Sequence, residues 1–281
     1  MIIYEGPSAF DGSPIVAIVT GYGPNRSANR KTGRMAQLWI LRADVAPLAA
    51  IRSGSDDAIC GTCPLRGTVG DDGKRIGRAC YVNVGQAPTS VYRAYARESY
   101  ERVTPADAGQ ILSGQKVRLG AYGDPAMLPI GVVRDLIAHA SLWTGYTHQW
   151  RDIDPAWSGL LMASADSVAD RRHARELGYR SFYVAPIGTD IATESGVVEC
   201  AATRARNPLQ CDACGMCAGT RNGTRSGAVD VAIIAHGSGA KYVGSDPEPE
   251  PKPEPEPEPC DGCGVPGEHE CDYVAWVDSR N

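Results

Sequence analysis

The chain has 281 residues, 43% of them hydrophobic and 22% charged, and a formal net charge of −5; that length suits one domain of about 240 residues plus an appendage. A body of this size buries a substantial core, so it needs neither disulfides nor metal merely to fold. No run of about 18 apolar residues occurs, and no charged region precedes an apolar N-terminal segment, so we expect no membrane span, no signal peptide and a cytoplasmic protein.

Charge is divided unevenly. Residues 245–281 hold 11 acidic and 2 basic side chains, a net −9, which leaves the preceding 244 residues with 26 basic and 22 acidic, a net +4. A basic body with an acidic tail is compatible with nucleic-acid binding that the tail modulates. The 10 cysteines fall into three tight groups. In a chain without an export signal, such grouping points to metal ligation rather than disulfides.

In chain order, Ile15–Val19 is the first expected strand and Gln37–Leu41 the next. The loop between them carries Arg26, Arg30, Lys31 and Arg34 among Gly, Asn and Ser. Exposed backbone N–H groups beside cations suit phosphate oxygens, although no Walker pattern is present and a solvated basic loop has the same composition. Cys60-x2-Cys63 follows, with Cys80 beyond a Gly-rich connection. Three thiols leave one coordination position open, as catalytic metal sites do; a redox dithiol or buried free thiols are the alternatives. Residues 86–111 alternate Tyr and Arg (Tyr92, Arg93, Tyr95, Arg97, Tyr100, Arg102) at helical spacing. Such a stripe packs against the body or stacks on bases.

From Lys116 to Cys200 a short apolar run repeatedly stops at a polar, chemically capable residue. The runs are Lys116–Asp124, Leu142–His148, Leu160–Asp166, Ser181–Pro186 and Val197–Cys200. Helical spacing fills 129–140 and 167–177 between them, so the alternation predicts a parallel β/α barrel or partial barrel over residues 1–244. Strand ends in such a fold share one mouth, which makes Asp124, His148, Asp166 and Cys200 candidate site residues, with His236 after Val229–Ala235 as a fifth. Tyr122 and Tyr146 lie two residues before Asp124 and His148 and so share their strand faces. The plainer reading of a polar strand end is a helix cap, for instance Asp166 ahead of Ser167.

Cys200, Cys211, Cys214 and Cys217 give C-x10-C-x2-C-x2-C, four thiolates suited to Zn²⁺ or a [4Fe–4S] cluster. Arg204, Arg206, Arg221 and Arg225 flank them. These cations offset the charge of the thiolates or line a groove for a phosphate backbone. After Val243 a Pro/Glu repeat occupies 245–259, an extended spacer. Cys260, Cys263, His269 and Cys271 beyond it form a C-x2-C-x5-H-x-C set, a zinc knuckle over 260–281 that would fold on its metal.

Together the N-terminal Arg/Asn/Lys loop, Cys60-x2-Cys63 with Cys80-Tyr81, Arg118 to Pro125, Gly145 to Trp150 and the Cys200–Cys217 array resemble a family of phage-encoded, cysteine-rich proteins across about residues 1–240. That resemblance implies the partial β/α barrel of radical-SAM-like proteins and a host-cytoplasmic location, although the C-x3-C-x2-C motif of working radical-SAM enzymes is absent. A more distant similarity is to the phage transglycosylases that place 7-deazaguanine bases in DNA. Those are barrels with an aspartate nucleophile and a late zinc site, of which Cys211, Cys214, Cys217 and His236 would be a variant.

Three functions follow as expectations. The first is base exchange on DNA, with Asp124 or Asp166 attacking the sugar C1′, His148 serving the departing base, Tyr122 and Tyr146 holding it, Arg26, Arg30 and Lys31 binding phosphate and Arg118 contacting the substrate. The second is an iron–sulfur enzyme of radical type with its cluster on Cys60, Cys63 and Cys80. The third is a non-catalytic, metal-stabilised nucleic-acid adaptor whose tail recruits a protein partner.

Overall fold

Ile15, Val16, Ala17, Ile18 and Val19 are each 0% exposed, so the first expected strand is buried on both faces and seeds a sheet rather than covering one. A computed structural model describes residues 1–24, 29–70, 72–193, 195–204, 206–220, 229–237 and 239–244, all within the unit Met1–Gly244. The Pro/Glu spacer, the four knuckle ligands Cys260, Cys263, His269 and Cys271, and Arg26, Arg221 and Arg225 lie outside the described residues.

The chain begins with β1 (Ile2–Pro7), β2 (Pro14–Thr20) and β3 (Ala36–Arg42), continues through α1 (Pro47–Ser53) and α2 (Asp57–Cys60), and forms a hairpin, β4 (Thr68–Val69) and β5 (Arg75–Ile76). Two helices follow, α3 (Ala87–Ala96) and α4 (Pro105–Ile111), where the Tyr/Arg spacing predicts one. Glu98 at φ 54° and Pro105 at the start of α4, capped by the Thr104 hydroxyl, divide them. Tyr92, Tyr95 and Tyr100 pack against the core.

Next come β6 (Lys116–Tyr122), α5 (Ile130–Ile137), β7 (Leu142–Thr144), β8 (Tyr146–Thr147), β9 (Met162–Ala165), α6 (Val168–Glu176) and β10 (Ser181–Ala185). The chain then forms β11 (Val197–Glu199), the single-turn α7 (Cys211–Cys214) and β12 (Asp230–Ile234). Every strand expected between Ile15 and His236 is present. β1 is an addition, masked in the sequence by the polar and turn-forming Glu5-Gly6-Pro7 at its outer end.

The strands build two five-stranded sheets, in the orders β1-β2-β3-β6-β7 and β11-β12-β10-β9-β8. The first turns from antiparallel to parallel at β3, where Gln37 pairs Arg118, and the second is parallel throughout. The architecture is therefore α/β with parallel sheets. Among the described residues no closed barrel forms, and β12 inserts between β10 and β11, against the sequential order that a barrel requires. Only Gly145 separates β7 from β8, so one segment serves both sheets. A Cβ there would sit 2.6 Å from Leu161 Cδ2 and 2.9 Å from Leu119 Cβ, which leaves room for glycine alone.

Because β11 and β12 are parallel, the connection between them must return from one end of the sheet to the other. It starts at Cys200 beyond β11 and reaches the opposite end at Met216 and Gly219, whose carbonyls accept from Arg180 Nη1 just before β10 (3.0 and 3.1 Å). This crossover carries four cysteines. At the same end Asp230, fully buried, accepts from the Ser181 amide (2.9 Å) and pairs Arg171 (3.4 Å) and Arg175 (3.0 Å), tying α6 to the sheet.

Candidate functional site

Parallel strands deliver their C-terminal ends to one side, and there the side chains meet a cavity of about 520 Å³. Tyr122, Asp124, Tyr146, His148, Cys200 and His236 all line it. Cys60, Cys63 and Cys80 line it from the connection after β3, and Cys211, Cys214 and Cys217 from the crossover, so the two thiol groups face the same space. Lys31 and Arg118 also line it, whereas Arg30 and Asp166 do not.

The two candidate carboxylates differ sharply. Asp124 Oδ1 accepts from the Ala126 amide (3.0 Å), and Oδ2 accepts from the His148 amide (2.9 Å) and the Thr147 hydroxyl (3.1 Å). Burial pushes its carboxyl above the ordinary aspartate value against the pull of these donors. The capping reading holds at this position: Asp124 is committed to three donors, and its geometry suits positioning His148 rather than nucleophilic attack. At Asp166 the capping reading fails. Ser167 Oγ caps α6 by accepting from the Asp170 amide (3.0 Å), and Asp170 Oδ2 accepts from the Asp166 amide (3.1 Å). The Asp166 carboxylate is thereby left to face His148, with Oδ2 3.5 Å from Nε2 and Oδ1 buried without a hydrogen-bond partner.

His148 Nε2 is also 3.9 Å from Cys63 Sγ. Burial disfavours the imidazolium, but the Cys63 sulfur and the Asp166 carboxylate outweigh it and hold the ring well above the ordinary histidine value. Several contacts fix the Cys60–Cys63 turn beside it. The Asp124 amide donates to Ile59 O (2.7 Å), Gln149 Nε2 donates to Cys60 O (3.1 Å), and Gln149 Oε1 accepts from the Thr62 amide (3.2 Å). Gly61 is required by that approach, since at φ 53° a Cβ would lie 2.3 Å from Gln149 Oε1. Behind the turn, Asp56, 1% exposed, accepts from Arg66 (2.8 Å) and Arg75 (2.6 Å).

On the crossover, burial raises the Cys211 thiol to about 11 and pushes Cys217 higher still, with neighbouring thiols adding to both. The Tyr146 hydroxyl lies against Cys217, and its ring is 4.5 Å from that of Phe182. His236 Nε2 accepts from Lys31 Nζ at 3.0 Å, and the ring packs on Tyr81 with ring centroids 4.7 Å apart. Burial, then the Lys31 charge, lowers its imidazole below the ordinary value.

Soft thiols beside an imidazole are the donors that zinc or an iron–sulfur cluster takes. Among the described residues no three His, Cys, Asp or Glu side chains are gathered closely enough to hold one metal ion. Residues absent from the sequence reading complete the cavity: Thr32, Trp39, Arg78, Ser164 and Phe182. Arg78, two residues before Cys80, and Thr32, next to Lys31 in the basic loop, sit beside recognised motifs. No protein-family model, curated protein or solved structure matches the chain. No helix among the described residues is long and apolar enough to cross a membrane.

Proposed function

We propose that this chain is a nucleic-acid-modifying enzyme that takes one nucleotide unit into the cavity of an incomplete β/α barrel and exchanges its base. The observation that carries the reading is His148, held between Asp166 and Cys63 on the rim of a cavity whose walls are aromatic and cationic. A cavity of about 520 Å³ takes a single nucleotide rather than a duplex, so a polymer must present an extruded residue.

In this scheme an Asp166 oxygen attacks the sugar C1′, which requires its carboxylate, beside His148 but outside the cavity lining, to turn into the cavity. The glycosidic C–N bond breaks with its electron pair leaving on the base, and His148 delivers a proton to that base. The incoming base then attacks C1′, the aspartyl ester leaves as carboxylate, and the proton returns to His148. Asp124 acts through His148 as a positioning residue. Asp166→Asn and His148→Gln are each expected to lower incorporation of a labelled base into single-stranded DNA by at least ~10²-fold with unchanged circular dichroism. Undiminished exchange in both variants would sink the scheme.

A second reading is favoured by the thiols that line the cavity from both sides, where burial first and neighbouring thiols after it raise Cys60 and Cys211. In it Cys60, Cys63 and Cys80 would draw together to hold an iron–sulfur cluster supplying one-electron chemistry, and Cys200, Cys211, Cys214 and Cys217 would close on zinc or a second cluster. Iron and sulfide in a brown, anaerobically purified protein support this reading, while a colourless zinc protein removes it.

A further inference from the structure

The fold satisfies its partly buried guanidiniums almost everywhere. Arg66 and Arg75 share Asp56, Arg171 and Arg175 share Asp230, and Arg180 donates to the carbonyls of Met216, Gly219 and Val229. Among the described residues single buried polar atoms lack a partner at scattered places, such as Tyr179 Oη and Ser181 Oγ, but the cavity gathers several together. Arg118, half-buried in β6 and lining it, has no hydrogen-bond or ion-pair partner among the described residues. Arg78 Nη2, Tyr122 Oη and Thr32 Oγ1 line the same cavity as buried atoms without a partner. Tyr122 is 3% exposed and Thr32 6%.

Unmatched polar atoms that are buried are costly and uncommon, so three around one cavity, with the unpaired Arg118 guanidinium beside them, require a cause. Guanidinium nitrogens only donate, and each hydroxyl has a proton to give. What the group lacks is acceptor oxygen. Among the described lining residues Asp124 is the one carboxylate, and it already accepts from three donors, so no free carboxylate faces the four groups. Lys31, Arg66, Arg78 and Arg118 leave its field positive. A carboxylate ligand offers two oxygens to these four groups, whereas a phosphate offers three or more and suits guanidinium forks. Beside them, Tyr146 packed on Phe182 and the Trp39 ring provide aromatic wall for a flat heterocycle.

We infer that Arg118, with Arg78 and the hydroxyls of Tyr122 and Thr32, forms the subsite for the phosphate of one nucleotide unit inside the cavity. This inference rests on the nucleotide reading above and adds the anchor that reading lacks. The phosphate comes either from a free 5′-monophosphate or from a diester of nucleic acid, and the subsite recognises what the two share.

The test is calorimetric binding to the full chain, with the four nucleoside 5′-monophosphates, the matching nucleosides, inorganic phosphate and a short single-stranded oligonucleotide lacking a terminal phosphate. At least one monophosphate, or the oligonucleotide, is expected to bind ~10-fold or more tighter than its nucleoside, and Arg118→Met is expected to abolish that difference while Arg118→Lys keeps part of it. Competition by the oligonucleotide assigns the phosphate to a diester; competition by monophosphates alone assigns it to a monoester. Tyr122→Phe guards against misfolding at position 118. It deletes only an unpartnered hydroxyl, so it is expected to melt no lower than the parent yet bind phosphate several-fold more weakly. Equal affinity for nucleoside and nucleotide overturns the subsite and spares the base-exchange reading, as does an undiminished preference in Arg118→Met and Tyr122→Phe. Binding of inorganic phosphate without any nucleoside or nucleotide selectivity overturns the nucleotide reading and keeps an anion site. Absence of all binding overturns both.

Discussion

The two thiol groups face one cavity but are held there by different physics. Cys60, Cys63 and Cys80 sit on a frame of buried charge and backbone contacts: Asp56 clamps Arg66 and Arg75 behind them, and Gln149 and the Asp124 amide grip the turn that bears the first two. Cys211 and Cys214 sit on a single-turn helix docked to a loop nearly 180 residues earlier in the chain. That docking consists of the Cys211 amide on Lys31 O (3.0 Å), the Asp212 amide on Thr32 O (3.2 Å) and the Arg34 amide on Asp212 Oδ2 (2.9 Å). A buried frame is pre-organised and fails as a unit, while a docked turn opens locally at small cost. The rim is therefore the pre-organised part of the cavity, and the crossover is the part able to rearrange.

The largest effect expected is at the frame. Asp56→Ala leaves two guanidiniums without their carboxylate, and removing one partner of a buried ion pair costs about 3–5 kcal/mol. The urea midpoint is expected to fall accordingly, with amide exchange accelerating first around Cys60–Cys80. If exchange quickens equally at Cys211–Cys217, the two groups form one cooperative unit and the contrast collapses.

Asp124→Asn comes next, at about 1–3 kcal/mol, because an amide cannot accept from the Ala126, Thr147 and His148 donors together. It also carries a pH signature. Burial raises the native carboxyl above its unfolded value, so across that interval the folded chain binds more protons than the unfolded one. Parent stability from this group is fully present below the unfolded value and is lost as pH rises through the native one. The gap between parent and variant in urea titrations is therefore expected to narrow with rising pH across the acid range. A gap that widens would mean that the three donors outweigh burial.

How these contrasts were legible in the sequence depends on their range. Strands from Ile15 to His236 and the helices over 129–140 and 167–177 follow local periodicity, so they could be read. Which carboxylate caps and which stays free could not, because Asp124 and Asp166 both end apolar runs; the decision lies with Thr147 and the His148 amide in one case and Ser167 with Asp170 in the other. The insertion of β12 between β10 and β11 is likewise non-local, and it is what sends the cysteine crossover to the cavity. Buried pairs such as Asp56 with Arg66 and Arg75 left no trace, since a charged residue in sequence reads as solvated by default.

The smallest effect isolates the crossover. Asp212→Ala removes the acceptor for the Arg34 amide but keeps the backbone bonds from Cys211 and Asp212 to the loop, and the Lys116 ammonium still reaches Asp212 O at 2.6 Å. One exposed hydrogen bond is worth about 0.5–1.5 kcal/mol, so global stability should move little. Local opening should move more: the Cys211 and Asp212 amides are expected to exchange several-fold faster while those of Ile59–Cys63 keep the parent rate, because a bond lost at the docked turn lowers the cost of undocking alone. The same variant then reports on metal. A centre on Cys200, Cys211, Cys214 and Cys217 would staple the turn by itself, and the acceleration seen in chelator-treated protein would vanish on adding zinc. An acceleration indifferent to zinc would leave the latch to its hydrogen bonds.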